Sequence, residues 1–130
     1  MIVSDQRVAD FIGKELEFGV FPPWKAMGIE KDGEIVAGLL FNCFEGKDVH
    51  VTACGSGFGK NFLQSVGDYV YNQLECTRMT FKTEKEYVAK LAEKLGGKRE
   101  GVLRNHFGEG RDAVIVGVLR EEYRYLKKEA

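Results

Sequence analysis

No apolar run in this sequence approaches the length of a membrane span, and no basic segment followed by an apolar core opens it at Met1 to Asp5. A soluble, cytoplasmic protein is therefore expected. Charge of one sign is also missing. With 19 basic and 20 acidic side chains the formal net charge is −1, which gives no general attraction to nucleic acid or to an anionic membrane. Any phosphate recognition has to be local. Cysteine is scarce and odd in number: Cys43, Cys54 and Cys76 lie far apart, fit neither a disulfide framework nor a thiolate metal site, and read as reduced thiols. The two histidines, His50 and His106, are widely separated and lack a nearby acidic or thiolate cluster, which argues against a catalytic metal. What is present, 130 residues at 44% hydrophobic and 30% charged, has the size and balance of one domain over residues 1–130 with a single core.

Local patterns divide the chain. Ser4 can cap a helix with Val8, Phe11, Ile12 and Leu16 on one face, ending near Gly19. Pro22 and Pro23 then enforce a loop flanked by Phe21 and Trp24. Ala26 to Lys31 and Glu34 to Phe44 read as strands joined by Asp32-Gly33, a dipeptide suited to a tight hairpin. Glu45-Gly46-Lys47 makes a second turn before a strand from Asp48 to Ala53. From Lys60 to Leu74 the residues Phe62, Leu63, Val66, Tyr69, Val70 and Leu74 keep helical spacing. Arg78 to Lys82 is a short strand, and the intervening helix implies that it pairs in parallel with the strand before the helix. Thr83 and Glu86 fit a capping box for a helix with Val88, Leu91 and Leu95 inward, stopped by Gly96-Gly97. Lys98 to His106 and Asp112 to Leu119 read as two further strands, and Glu121 to Lys128 as a polar terminal helix.

One stretch concentrates chemical interest. Val49 to Lys60 is a β-run that breaks at Gly55, Gly57 and Gly59 and re-forms as a helix. Glycines at a helix start expose backbone N–H groups at the positive end of the helix dipole and so can hold a diphosphate; they also suit a plain turn. The nucleotide P-loop would need glycine at Cys54 and a hydroxyl at Asn61, and the dinucleotide fingerprint would need glycine at Lys60.

The order of elements resembles the GNAT N-acetyltransferase superfamily over nearly the whole chain. Cys54-Gly-Ser-Gly57-Phe-Gly59 matches both glycines of that family's cofactor loop but lacks its leading Arg or Gln. Glu93-Lys-Leu-Gly96 followed by Glu100-Gly-Val-Leu-Arg104 looks like the family's later helix end and strand. Gly110-Arg-Asp112 before Ala113 to Leu119, with Arg120-Glu-Glu122 after it, is similar to the branch of ribosomal-protein N-terminal and related amine acetyltransferases. The resemblance implies an α/β fold with a mixed, largely antiparallel sheet, a central parallel strand pair splayed at the cofactor site, and flanking helices. It implies acetyl-CoA as cofactor, its pantetheine arm on Val51, Thr52 and Ala53 and its diphosphate on Gly55, Ser56, Gly57, Phe58, Gly59 and Lys60. It further implies an amine-bearing acceptor, protein or small molecule, with a homodimer as a further expectation. Gly97, Lys85 and Ala92 depart from the family's usual phenylalanine, asparagine and tyrosine, so a catalytically degenerate module that binds CoA or a protein stands beside the enzyme.

Transfer to an amine needs a group to take its proton and a means of releasing the thiolate. His50, in the strand that approaches the cofactor, can act as base directly or through water, or can be an ordinary strand histidine. Glu45 can hold a base position or simply form the turn. Tyr87 can donate a proton or serve packing. His106 can line the acceptor side or face solvent. Cys54, near a helix start, raises the question of a nucleophile, although direct transfer fits the resemblance better. Phe21 and Trp24 suit either a cleft wall or an anchor for the Pro-Pro loop. Arg104 and Arg111 read as partners of strand-end carboxylates, and Lys127 and Lys128 as solvated.

Overall fold

Asp32 and Gly33 both have positive φ, 53° and 81°, the pair of left-handed residues that turns one strand tightly onto the next. They join β2 (Lys25–Lys31) to β3 (Glu34–Glu45), and Gly46-Lys47 then returns the chain into β4 (Asp48–Gly55). A computed structural model describes residues 1–17, 19–20 and 23–126; Phe21, Pro22, Lys127 and Lys128 lie outside the described residues. A two-residue strand, β1 (Ile2–Val3), precedes α1 (Gln6–Leu16). The cap of α1 is Asp5, not Ser4: its carboxylate accepts from the Arg7 amide at 2.9 Å. The helix stops at Leu16, earlier than Gly19, because Glu17 adopts the left-handed conformation (φ 56°).

After the glycine loop, α2 (Lys60–Gly67) continues as a π-helical segment over Asp68–Gln73 where an unbroken α-helix to Leu74 is the sequence expectation. The buried residues explain the widening. Phe62-Leu63, Val66-Gly67 and Val70-Tyr71 recur as inward pairs every four residues, longer than the 3.6-residue turn, and a wider turn keeps them on one side. β5 (Arg78–Thr83), α3 (Glu86–Lys94), β6 (Lys98–Gly108) and β7 (Arg111–Leu119) follow. Instead of starting from a Thr83–Glu86 capping box, α3 is capped by Lys85, because Thr83 still belongs to β5 and spends its hydroxyl on the Lys85 amide at 2.9 Å. Among the described residues, the polar stretch expected as a terminal helix gives a 3-10 turn, Arg120–Glu122, and no further helix as far as Leu126. There the chain bends inward so that buried Tyr123 donates to the Leu63 carbonyl at 2.6 Å.

Among the described residues seven strands form one sheet in the order β1-β2-β3-β4-β5-β7-β6, antiparallel except where β4 meets β5. Alternation along β3 and β4 sorts residues between its faces. Leu39, Phe41, Val49, Val51 and Ala53 pack with Phe62, Leu63, Val66 of α2 and Val88, Ala89, Ala92 of α3. Ala26, Leu40 and Cys54 pack on the other face with Val8, Ala9 and Ile12 of α1. Tyr71 ties the larger cluster to β7, its buried hydroxyl donating to the Val118 carbonyl at 2.7 Å. Tyr71→Phe strands that carbonyl away from water, and urea denaturation should show a loss of about 1–2 kcal/mol with an unchanged m-value.

Candidate functional site

The parallel pairing of β4 with β5 runs from Asp48↔Arg78 to Val51↔Phe81 and stops there. Beyond it, among the described residues, β4 pairs with β3 alone, from Leu40↔Thr52 to Ala37↔Gly55, while β5 follows β7 through Lys82↔Ile115 and Thr83↔Val114. The two strands part, and Thr52 to Gly55 present one side of their backbone with no ladder partner. Such groups need hydrogen bonds from elsewhere. One already has one: the Gly55 N–H donates to the Tyr87 hydroxyl at 3.2 Å, which sets the side chain of α3's first turn across the gap.

The glycine loop lies at one mouth of this gap. Gly55 (φ 92°) is required by close approach, since a Cβ there would sit 2.3 Å from the Val36 carbonyl oxygen. Gly57 (φ 96°) and Gly59 face open space. Gly59 caps α2 without a side-chain bond, so the first amides of the helix are available to an anion, with Lys60 exposed beside them. Gly55, Gly57, Phe58 and Gly59 share a concavity of about 480 Å³ with Tyr87, Leu91 and Lys94 of α3. Phe58 itself packs on Phe62, ring centroids 5.4 Å apart, which pins the loop to the helix it opens.

The other mouth opens on the α1 side as a cleft of about 780 Å³. Its floor is His50, Val51, Thr52 and Ala53; Leu16, Val20 and Pro23 form one wall and Lys82 to Lys85 with His106 and Phe107 the other. His50 is half-buried, its Nε2 3.7 Å from the Asp48 carboxylate, an electrostatic contact too long for a hydrogen bond. Asp48 is itself held by the Thr80 hydroxyl at 2.8 Å, and Thr80 accepts from Arg78 Nε at 3.1 Å. Burial, and after it the Lys82 ammonium, keep the His50 imidazole below the ordinary histidine value; Asp48 and Glu45 pull the other way. A histidine in that state is an unprotonated base at neutral pH.

The remaining candidates separate. Tyr87 stands at the loop mouth and His50 at the cleft, so the structure does not bring them into one pocket. Glu45 closes the β3–β4 hairpin opposite Asp48, exposed and outside both concavities, though its charge reaches His50. His106 and its edge-on neighbour Phe107 line the cleft. Cys54 is buried against α1, and burial pushes its thiol up to about 12, which leaves it no nucleophilic thiolate at neutral pH. Trp24 packs on the α1 cluster as an anchor. Arg111 pairs with Glu84, while Arg104 has no carboxylate within ion-pair range among the described residues. Sequence reasoning passed over Asp48, Thr80 and Lys82. Alternation could have placed Asp48 on the His50 face, but the partners across the parallel register have no local signal.

No family model and no curated protein matches the sequence. Solved structures do match. Mutant forms of the spermidine/spermine N-acetyltransferase SpeG from Vibrio cholerae superpose with a TM-score of 0.73 at 13% identity, covering 95% of this chain and 96% of that one. A dodecameric structure of spermidine N-acetyltransferase from the same organism gives 0.71 at 13% identity, with 95% of each chain covered. A proposed acetyltransferase from T. thermophilus gives 0.64 at 24% identity; 78% of this chain spans 62% of that one. The narrower likeness to the ribosomal-protein N-terminal branch rests on residues 110–122 alone. At these identities the likeness is one of fold: this chain has the GNAT fold, splayed parallel pair included.

Proposed function

We propose that this chain, acting as one domain, is an acetyl-CoA-dependent N-acetyltransferase that moves an acetyl group to a primary amine by direct transfer. The observation that carries the reading is the parting of β4 from β5 after Val51 and Phe81, with an anion-ready glycine loop at one mouth and a histidine-floored cleft at the other. The residues fit the cofactor: the free backbone of Thr52 to Gly55 suits an amide-bearing arm, and the Gly55–Lys60 loop suits a diphosphate. The chemistry acetyl-CoA supplies when bound is a thioester, whose C–S bond is exchanged for a C–N bond while the amine gives up one proton and the thiol takes one. On the protein's side, His50 takes the amine proton, directly or through water, and the cleft walls orient the acceptor. Tyr87 keeps Gly55's N–H satisfied when no arm is there. The thiol of Cys54 is too basic and too buried for an acyl-enzyme route, which supports direct transfer.

One observation favours a second reading, a CoA-binding or protein-interaction module without turnover. Ala92 is fully buried where the family's thiolate-protonating tyrosine usually stands, and Tyr87 is committed to the loop mouth. A homodimer would find its opening at β6, an edge strand exposed along nearly its whole length, with Val102 57% and Leu103 37% exposed. An acceptor screen over peptide N-termini, lysine, polyamines and aminoglycosides, read by mass spectrometry for one added acetyl group, is expected to give product. Tight CoA binding with no product between about pH 6 and 9, where a histidine base and an α-amine titrate, would establish the module instead.

A further inference from the structure

If the 780 Å³ cleft is the acceptor site of the acetyltransferase proposed above, the charges in its walls constrain what can enter. Lys82 and Lys85 both line it, and neither has a carboxylate within ion-pair range among the described residues. The lining carboxylate, Glu84, is paired with Arg111. Asp48, at the foot of His50, is occupied by the Thr80 hydroxyl and lies 3.6 Å from Arg78. Two lining ammonium groups thus stand without an ion-pair partner among the described residues, and Leu40, Phe44 and Phe107 give the cleft apolar surface beside them. A polyamine would bring several ammonium groups against these two lysines, a like-charge repulsion.

We propose that the acceptor is a small primary amine carrying a carboxylate on an apolar body, an apolar α-amino acid being the simplest case, with Lys82 receiving the carboxylate and His50 facing the amine. Lys82 is better placed than Lys85 for this. His50 pairs with Thr80 in the parallel register, and Lys82 lies two residues on, on the same face, about 6.6 Å farther along the strand. Its charge is felt at the imidazole, whereas Lys85 is exposed at the helix cap. The solved structures named for spermidine share the fold at 13% identity, and a fold shared at that level does not transmit an acceptor.

The test follows binding as well as turnover. L-phenylalanine, phenethylamine, which lacks only the carboxylate, and spermidine are titrated into the protein with and without CoA, with imidazole NMR signals as the readout. L-phenylalanine should bind at least about tenfold tighter than phenethylamine, the size of one charge-assisted hydrogen bond in a half-open cleft, with spermidine weaker still. Lys82→Met should erase that preference, Lys82→Arg should keep most of it, and neither should change CoA affinity. Equal or tighter binding of phenethylamine or spermidine overturns the proposal. So does Lys82→Met weakening CoA without touching the amines, which would assign the lysine to the cofactor, and so does transfer confined to peptide N-termini. Binding of L-phenylalanine through Lys82 without any acetyl transfer supports the acceptor class and sinks the catalytic reading; brisk transfer to spermidine does the reverse.

Discussion

Gly59→Val is expected to weaken CoA binding by about a hundredfold or more while leaving the fold intact. The position separates ligand from scaffold. Gly59 has φ −82° and ψ 171°, extended values that any residue adopts, and a Cβ built on it meets nothing within 4 Å. Valine there costs the free protein little. It projects its methyl groups into the open space over the first amides of α2, where a diphosphate has to come within hydrogen-bond distance. Loss of two charge-assisted N–H bonds, each about 1.5–3 kcal/mol, corresponds to at least about two orders of magnitude in affinity. Gly57 is a poorer probe: at φ 96° a side chain is strained whatever the space, so Gly57→Val mixes lost stability with lost binding. Lys60→Ala should have a smaller effect than Gly59→Val, because an exposed charge is screened by salt while the amides remain. Calorimetry with CoA, beside circular dichroism and Tm for the same variants, decides the matter. Parent-like affinity in Gly59→Val would show that the loop is a turn and not a cradle.

Most of the fold was legible where a local rule acts alone. Asp32-Gly33 specified its hairpin through backbone conformation, and Asp48 to Ala53 read as a strand, whose Val49, Val51 and Ala53 share one buried face. Local rules failed where a distant partner competes for the same group. Thr83 and Glu86 have the spacing of a capping box, yet Thr83 is still paired with Val114 in the sheet, and Glu86 pairs with Arg99. Glu121 to Lys128 has a helix-like polar pattern, yet over its described residues, to Leu126, the buried Tyr123 hydroxyl draws the chain inward to the Leu63 carbonyl.

The candidate site divides along the same line. The glycine loop announced itself because its chemistry is backbone chemistry, written in residue type. The parting of β4 and β5 has no local signature: it arises because β3 and β7 each carry one strand onward, and only the family resemblance anticipated it. The surroundings of His50 were hidden for the same reason. Asp48, Thr80, Arg78 and Lys82 reach it from two strands whose register no short stretch of sequence determines.

Those surroundings make the second large effect testable in two directions. His50→Gln should lower turnover by about a hundredfold, the range of general-base catalysis, with CoA affinity close to the parent because the imidazole lies in the cleft and not at the glycine loop. Glu45→Gln and Tyr87→Phe should each cost far less. The pH profile carries the sharper information. A base works unprotonated, so the rising limb of kcat/KM follows its acid dissociation in the free enzyme. Burial and Lys82 favour loss of that proton, and the limb should therefore lie below the ordinary histidine value of 6.5. Lys82→Met removes one depressing influence and should move the limb to higher pH. Asp48→Asn removes a raising influence and should move it lower, while its amide oxygen still accepts from Thr80. Opposite shifts from two substitutions on neighbouring strands are hard to produce unless the titrating group sits between them. A limb that stays in place in both variants, or parent-like turnover in His50→Gln, would remove His50 from the chemistry and leave positioning by the cleft as the source of any rate.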